Sequence, residues 1–517
     1  GSIVIAELVD RTGEVVRRSQ MPVPVDNPEG IRLPLPAERL AFGVYGYRVA
    51  LRDKKNTEYA SAAVTVNVCR LVIPEYPIFW YGYGAHNDGD LDCYTTLGLF
   101  ERLNEQGNAV FGVRGWGRHN VEEICDRALG LGIPLISYCF YSPAVRGDDP
   151  KYPLSPHHPS RLAALRQKGL EQAGFAKHPA VHWFYIDDEG TGFSETDYDK
   201  AEFKKQTGQT WPTKFNAVSD HYNVAKFHLH GGNNVWKSAF DGLREALPDR
   251  THFFLQTVGN VAANGGWIWD NFRDSDINCI DLYPPAPSDV GQCCFYYNAM
   301  RCLGYRNGHP GWIMLGEYRE TFEMMRGQWW LALGSGLESH SWYGANYGGG
   351  PHGIGTDRIN RIAPYDRRAM RYGALLARWD KPRSKIAMYW SLASCARRGE
   401  EEGRKAIRVH GQAVGKACEA TALDFYRHDV YPDVLTEAEI LRDEHLRYDA
   451  IVLAGVTWDT QPVVDKLTQF ARTRPLQLTQ SSTISIPGAV PYAPDVLAQE
   501  ALPGVRTADP AVFAEPL

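Results

Sequence analysis

The stretch VHWFYIDDEG, residues 181–190, reads as a buried strand that breaks abruptly into acid at Asp187, Asp188 and Glu189. A second stretch of the same form, GWIMLGEYR at residues 311–319, runs Ile313, Met314 and Leu315 into Glu317. Apolar runs of this length flanked by polar residues fit strands buried on both faces, as in a parallel sheet. Two such strands, each ending in a carboxylate, suggest a barrel whose strand tips carry paired acids, the groups needed for glycoside hydrolysis.

Working outward, apolar strands alternate with helical segments from residue 74 to about 381, which implies a parallel α/β arrangement. Eight strands are expected: 78–84, 108–116, 134–141, 181–189, 251–259, 276–284, 311–319 and 336–344. Helices such as PSRLAALRQKGLEQ, NVWKSAFDGLREAL and TFEMMRGQWWLAL fit between them. Eight strands with helical crossovers give a (β/α)8 TIM barrel over residues 73–381, with its working groups at the C-terminal strand ends. Residues 190–235 are too long for a simple connection and are expected to form a wall of the pocket, as is the loop 142–160 with His157 and His158. His228 and His230 would share one face of an extended segment. Without an acid beside them they read as loop residues rather than a metal pair.

Before the barrel, residues 1–72 alternate and turn like a β-sandwich, with strands SIVIAELVD, GIRLPLP, YGYRVALRD and AAVTVNV. After it, residues 382–517 hold two buried strands and two helices, the pattern of a small flavodoxin-like α/β domain. No GxGxxG follows either strand and no nucleophile elbow is present, which leaves dinucleotide binding and amidotransfer without their residues.

Composition removes several function classes. With 55 basic against 61 acidic residues, a net charge of −6 and no long basic run, nucleic acid is a poor partner. No apolar run reaches the ~18 residues of a membrane span. The ten cysteines show no zinc-type spacing, and neither a metal nor a cofactor is expected. The chain starts in mid-strand after Gly1-Ser2, which resembles a cleavage scar. The compartment stays open, with a periplasmic or secreted setting favoured over the cytoplasm.

Taken together, the expected strand ends offer Arg114, Asp188-Glu189, Tyr283, Glu317 and Trp342. This set resembles the large clan of retaining TIM-barrel glycosidases, in which an Arg, an Asn-Glu pair, a Tyr, a second Glu and a Trp occupy those strand ends. The three-part order also looks like the family-42 β-galactosidases, whose barrel is followed by an amidotransferase-like trimerisation domain. The resemblance covers about residues 74 to 480 and leaves out the N-terminal strands. It implies Glu189 as general acid/base and Glu317 as nucleophile. It also implies Tyr283 and Arg114 holding the nucleophile and Trp342 flooring the sugar subsite; Trp116 and His86 are further substrate-binding candidates. Oligomerisation through the third domain, as trimer or dimer, is implied as well. Such a site needs two carboxyls ~5–5.5 Å apart, one protonated and one ionised.

One departure matters. Asp188 stands where the clan has Asn, and an ionised Asp accepts hydrogen bonds from a sugar hydroxyl but cannot donate one. Galactose is therefore not carried over. Two rivals stand beside the β-glycosidase reading. One is an α-linkage-cleaving barrel using Asp187 and Asp188. The other is a carbohydrate-binding pseudoenzyme without turnover.

Overall fold

The computed structural model describes residues 2–10, 12–23, 43–68, 76, 78–81, 110–114, 125–126, 128–129, 132–138, 144–188, 194–214, 217–250, 253–258, 274–282, 290–307, 311–315, 321–343, 356–373, 375, 383–396 and 412–494. Among them the strands make a four-stranded sheet, a closed eight-stranded barrel and a five-stranded sheet.

The first sheet is antiparallel, in the order β2-β1-β3-β4, from β1 Ile3–Val9, β2 Val15–Pro22, β3 Gly43–Arg52 and β4 Glu58–Val68. The β1–β2 turn is held by the Asp10 carboxylate, which accepts from the N–H groups of Thr12 and Glu14, both at 2.9 Å. The expected sandwich is not what the described residues form. β1 buries Val4, Ile5, Ala6 and Leu8, but residues 58–64 of β4 are all exposed. A second sheet would have covered one of their two faces. Strand β2, VVRRSQMP, is too polar to be read from sequence, and GIRLPLP lies outside the described residues.

The barrel consists of β5 Ile78–Tyr81, β6 Val110–Arg114, β7 Leu135–Tyr138, β8 Val181–Asp188, β9 Phe253–Val258, β10 Ile277–Asp281, β11 Gly311–Leu315 and β12 Ser339–Tyr343. Every neighbouring pair is parallel, and β12 closes onto β5 through His340↔Ile78 to Tyr343↔Tyr81. All eight C-terminal strand ends therefore open onto one rim.

The described helices around it are α1 Pro159–Ala176, α2 Asp197–Thr207, α3 Val218–Ala246, α4 Val290–Asn307, α5 Phe322–Gly334 and α6 Thr356–Arg371. Helix α3 is longer than its sequence suggests. Residues 230–234, HGGNN, read as a break, yet the helix runs through them. Gly231 is there for closeness: a Cβ on it would lie 2.8 Å from His157 Nε2 and 2.9 Å from Pro156 Cγ. Further along, Gly242 faces the Arg166 carbonyl, and a Cβ on Gly169 would sit 2.5 Å from the Ala239 carbonyl. Helices α1 and α3 thus meet backbone to backbone, which a larger residue at either glycine would force apart.

The third sheet is parallel, in the order β14-β13-β15-β16-β17. It comprises β13 Ile386–Tyr389, β14 Asp433–Leu435, β15 Ala450–Leu453, β16 Leu476–Leu478 and β17 Val490–Pro491. Helices α7 Gln412–Arg427, α8 Glu437–Leu441 and α9 Gln461–Ala471 accompany it. Its core gathers Tyr389, Leu435, Ile451, Leu453, Val463, Leu467 and Phe470. Full burial of such side chains stabilises by about 1.5–3 kcal/mol each. The barrel's own apolar cluster continues into this unit, joining Cys294 and Tyr297 of α4 to Val414, Cys418 and Ala422 of α7.

Candidate active site

Strand phase decides which side chains can reach the barrel mouth, because neighbours along a strand point to opposite faces. On β11 the phase is fixed by two contacts. A Cβ on Gly311 would point at the Met300 carbonyl of α4, 2.6 Å away, so Gly311 faces the helices. Trp312, on the other face, meets Trp183 of β8 with ring centroids 6.1 Å apart, across the barrel. Ile313 and Leu315 therefore face outward with Gly311, the reverse of the interior position their apolar character suggests. Trp183, Trp312, Met314, Ser339 and Ser341 are all buried. The small Ser339 stands level with Trp312, and Ser341 with Met314. Small against large fills the lower barrel, leaving only the rim for chemistry.

At that rim, β8 ends at Asp188, so Glu189 follows it directly. Strand β11 ends at Leu315, so Glu317 stands two residues beyond. The two acids are 317 − 189 = 128 positions apart in sequence, and barrel closure brings their strand ends to one face. Glu189, Glu317, Tyr283, Trp116 and His86 lie outside the described residues. Arg114 closes β6 level with Tyr138, and Asp188 closes β8 level with Gln256. The β8–β9 register shifts between Ile186 and Asp188. A bulge there re-aims the strand tip just ahead of Glu189. Sequence reading missed it, since IDD carries no glycine to mark the irregularity.

Trp342 is placed differently from its expected role. It lies level with the outward Leu315 and has no exposed surface. Its indole N–H donates to both carboxylate oxygens of Asp366 on α6, at 3.2 and 3.0 Å. His340, two residues back and also fully buried, sits 3.2 Å from the same carboxylate through Nε2. The His340 Nδ1 lies 3.3 Å from the Tyr76 hydroxyl. Burial raises the Asp366 carboxyl above its usual range, against the pull of His340 and Trp342. We assign Trp342 to this seam between barrel and helix rather than to a sugar subsite.

The two long connections meet over α3. Helix α2 starts at a reciprocal cap: the Asp199 amide donates to Thr196 Oγ1 at 3.2 Å, and the Thr196 amide donates to the Asp199 carboxylate at 2.9 Å. Asp199 is fully buried and also accepts from Ser155 in the loop after β7, at 2.5 Å. Below, Phe203, Trp211, Val224 and Phe227 form a small core of their own, on which His157 stacks at 4.0 Å from the Phe227 ring. His228 is helical rather than extended and is buried beside them, whereas His230 is exposed. Burial pushes both His157 and His228 down to about 4. Among the described residues no group of three or more His, Cys, Asp or Glu could hold a metal ion.

The third sheet offers a second place to look, because ligands of parallel sheets sit where the strand order reverses, here between β13 and β15. That crevice is filled from within. Asp459 accepts from Tyr389 at 2.6 Å and from Ser391 at 2.7 Å, and burial raises it to about 6. Cys395 beside it is fully buried, and burial pushes its thiol up, which denies it thiolate character. The described helices include none long and apolar enough to cross a membrane.

No protein-family model and no curated protein sequence matches the chain. Solved structures do. The β-galactosidase of Bacillus circulans sp. alkalophilus is similar at a TM-score of 0.59 and 13% identity, over 80% of this chain and 72% of that one. A catalytic mutant of Gan42B, a GH42 β-galactosidase from G. stearothermophilus, is similar at 0.60 and 12%, over 82% and 74%. The exo-β-1,4-mannosidase Op5Man5 from Opitutaceae bacterium strain TAV5 is similar at 0.52 and 10%, over 83% and 78%. In fold, this chain resembles the GH42 β-galactosidases of the TIM-barrel glycosidase clan.

Proposed function

We propose that this chain is a retaining glycoside hydrolase that cleaves a β-linked sugar, with Glu189 as general acid/base and Glu317 as nucleophile. The observation that carries the reading is the closed parallel barrel. In it, β8 and β11 open onto one rim and are followed within one and two residues by Glu189 and Glu317. The fold shared with β-galactosidases and a mannosidase supports the same chemistry. The phase of β11 is read only as far as Leu315, and Glu317 lies outside the described residues. Its assignment rests on its place just past the strand tip.

In the mechanism, Glu317 attacks the anomeric carbon while Glu189 protonates the leaving oxygen. Water, deprotonated by Glu189, then releases the sugar with its configuration kept. Arg114 and Tyr283 would hold the nucleophile, with Trp116 and His86 lining the subsite. Asp188, accepting only, would select a sugar hydroxyl that donates. Exo action is part of the proposal, supported by the two connections that meet over α3. Association through the third domain is a further part, open to light scattering.

Azide tests the roles. Glu317→Gly should abolish hydrolysis of a chromogenic β-glycoside, and azide should restore release as the α-glycosyl azide. Glu189→Ala with azide should give the β-azide. Hydrolysis of α-glycosides alone would move the chemistry to Asp187 and Asp188, and near wild-type activity in Glu317→Gly would overturn the nucleophile assignment.

A further inference from the structure

Helix α2 and the turn behind it carry a groove of about 580 Å³, within the range of small-molecule sites. Lys200 and Lys204, four residues apart, share one face of the helix with Ala201 between them, while Asp199 and Phe203 face inward. The chain then turns at Gly208, in the left-handed conformation at φ 72°, and returns so that Thr210, Trp211 and Pro212 form the opposite bank. Among the described residues neither Lys200 nor Lys204 makes an ion pair. Of the helix's acids, the half-buried Glu202 accepts from Lys205 at 3.3 Å and from Gln206 at 3.1 Å, and the exposed Asp197 stands one turn before Lys200. Two ammonium groups against one carboxylate, Asp197, thus flank a strip of Ala, Pro and indole carbon, in a chain whose net charge is −6.

A second observation comes from Trp211. It lines the groove, is 6% exposed and is wedged edge-on against Phe203 at 5.2 Å, so the indole forms a fixed apolar bank. An occupant suited to this lining needs an apolar face for the strip and an anionic group for the lysines. A pyranose bearing a carboxylate or sulfate has both.

We propose that this groove is an ancillary, non-catalytic subsite for an acidic oligosaccharide, positioned on the insert that follows the Glu189-bearing strand. The choice of a sugar rests on the glycosidase reading; the choice of an anion rests on the lysines alone.

The test is direct binding by calorimetric titration of the full chain, which does not depend on turnover. The probes are an oligogalacturonide, a sulfated galacto-oligosaccharide and a neutral galacto-oligosaccharide, with inorganic sulfate as a further arm. The expected result is binding of at least one acidic oligosaccharide over the neutral one, weakened by salt. Binding in Lys200→Ala/Lys204→Ala should fall about tenfold, as for two exposed charge contacts. Lys205→Ala, outside the groove, should bind as the parent does. Preference for the carboxylated or for the sulfated probe identifies the anion and supports the proposal either way. Equal binding of inorganic sulfate, no acidic preference, or an undiminished affinity in the double variant would overturn it. Hydrolysis of chromogenic glycosides by a chain that binds no acidic probe would sink the groove alone. Groove binding without any hydrolysis would sink the glycosidase reading alone.

Discussion

Trp342 and Asp366 decide how the eighth strand of the barrel is used. A fully buried carboxylate that meets one imidazole and one indole N–H is tolerable only while both partners remain. Asp366→Ala should cost about 3–5 kcal/mol in denaturant unfolding, because it leaves His340 and Trp342 buried without their acceptor. Trp342→Phe should cost less, about 1–3 kcal/mol, and should leave KM for a small glycoside within about twofold. A KM raised tenfold with stability unchanged would return Trp342 to the sugar subsite. The same pair shows where reading the sequence stopped. GWIML is apolar at every position, so period-2 alternation cannot give its phase. The phase comes instead from two contacts: Gly311, whose missing Cβ makes room for Met300 of α4, and Trp312, which meets Trp183 of β8. Ser-His-Ser-Trp in β12 does alternate, and its outward pair is the one that finds Asp366.

At the scale of elements, all eight barrel strands were legible because most are short apolar runs between polar connections, with β12 alternating instead, and closure follows from the count. The start of α3 was not, because Gly231, Gly232, Asn233 and Asn234 have low helix propensity and packing on Pro156 and His157 overrides it. That packing has a pH dependence. The His157 ring is held neutral chiefly by burial, opposed by Asp199 and aided by His230. Its folded pKa of about 4 lies below its ordinary 6.5. Its stabilising contribution is therefore complete above pH 6.5 and is lost as pH falls toward 4, by about 3 kcal/mol for a shift of this size. His228, held down by burial and then by His157, acts in the same direction. His157→Phe keeps the stack on Phe227 and removes the titration. As pH falls from 6.5 to 4, the urea midpoint of the parent should drop relative to that of the variant, which lacks this titration. A parent chain whose midpoint is flat from pH 6.5 to 4 would show that His157 is not held neutral.

For the whole molecule, the question is whether the barrel and the third sheet are separate bodies. The sequence suggests a division by its change of pattern near residue 382, but the seam between the two sheets was not visible there, since its members are scattered. The seam is apolar at its centre, where α4 and α7 approach so closely that a Cβ on Gly291 would lie 2.9 Å from the Glu419 carbonyl. It is ionic at its edge. Arg301 of α4 donates to Asp433 at 3.1 Å and to the carbonyls of Tyr431 and Pro432 at 3.2 and 3.3 Å. Asp433, fully buried, also accepts from Tyr448 at 3.1 Å. Tyr222 and Lys226 of α3 donate to Glu437 on the far side. A core shared in this way couples the two units, since unfolding either exposes the other's apolar face. Calorimetry should accordingly show barrel and third sheet melting in one transition. Arg301→Ala leaves Asp433 buried beside a weaker partner, Arg447 at 3.8 Å, and should cost about 3–5 kcal/mol. It should also split the transition, the third sheet melting first while the barrel's eight-stranded closure persists. Two resolved transitions in the parent chain would mean that the seam does not couple them.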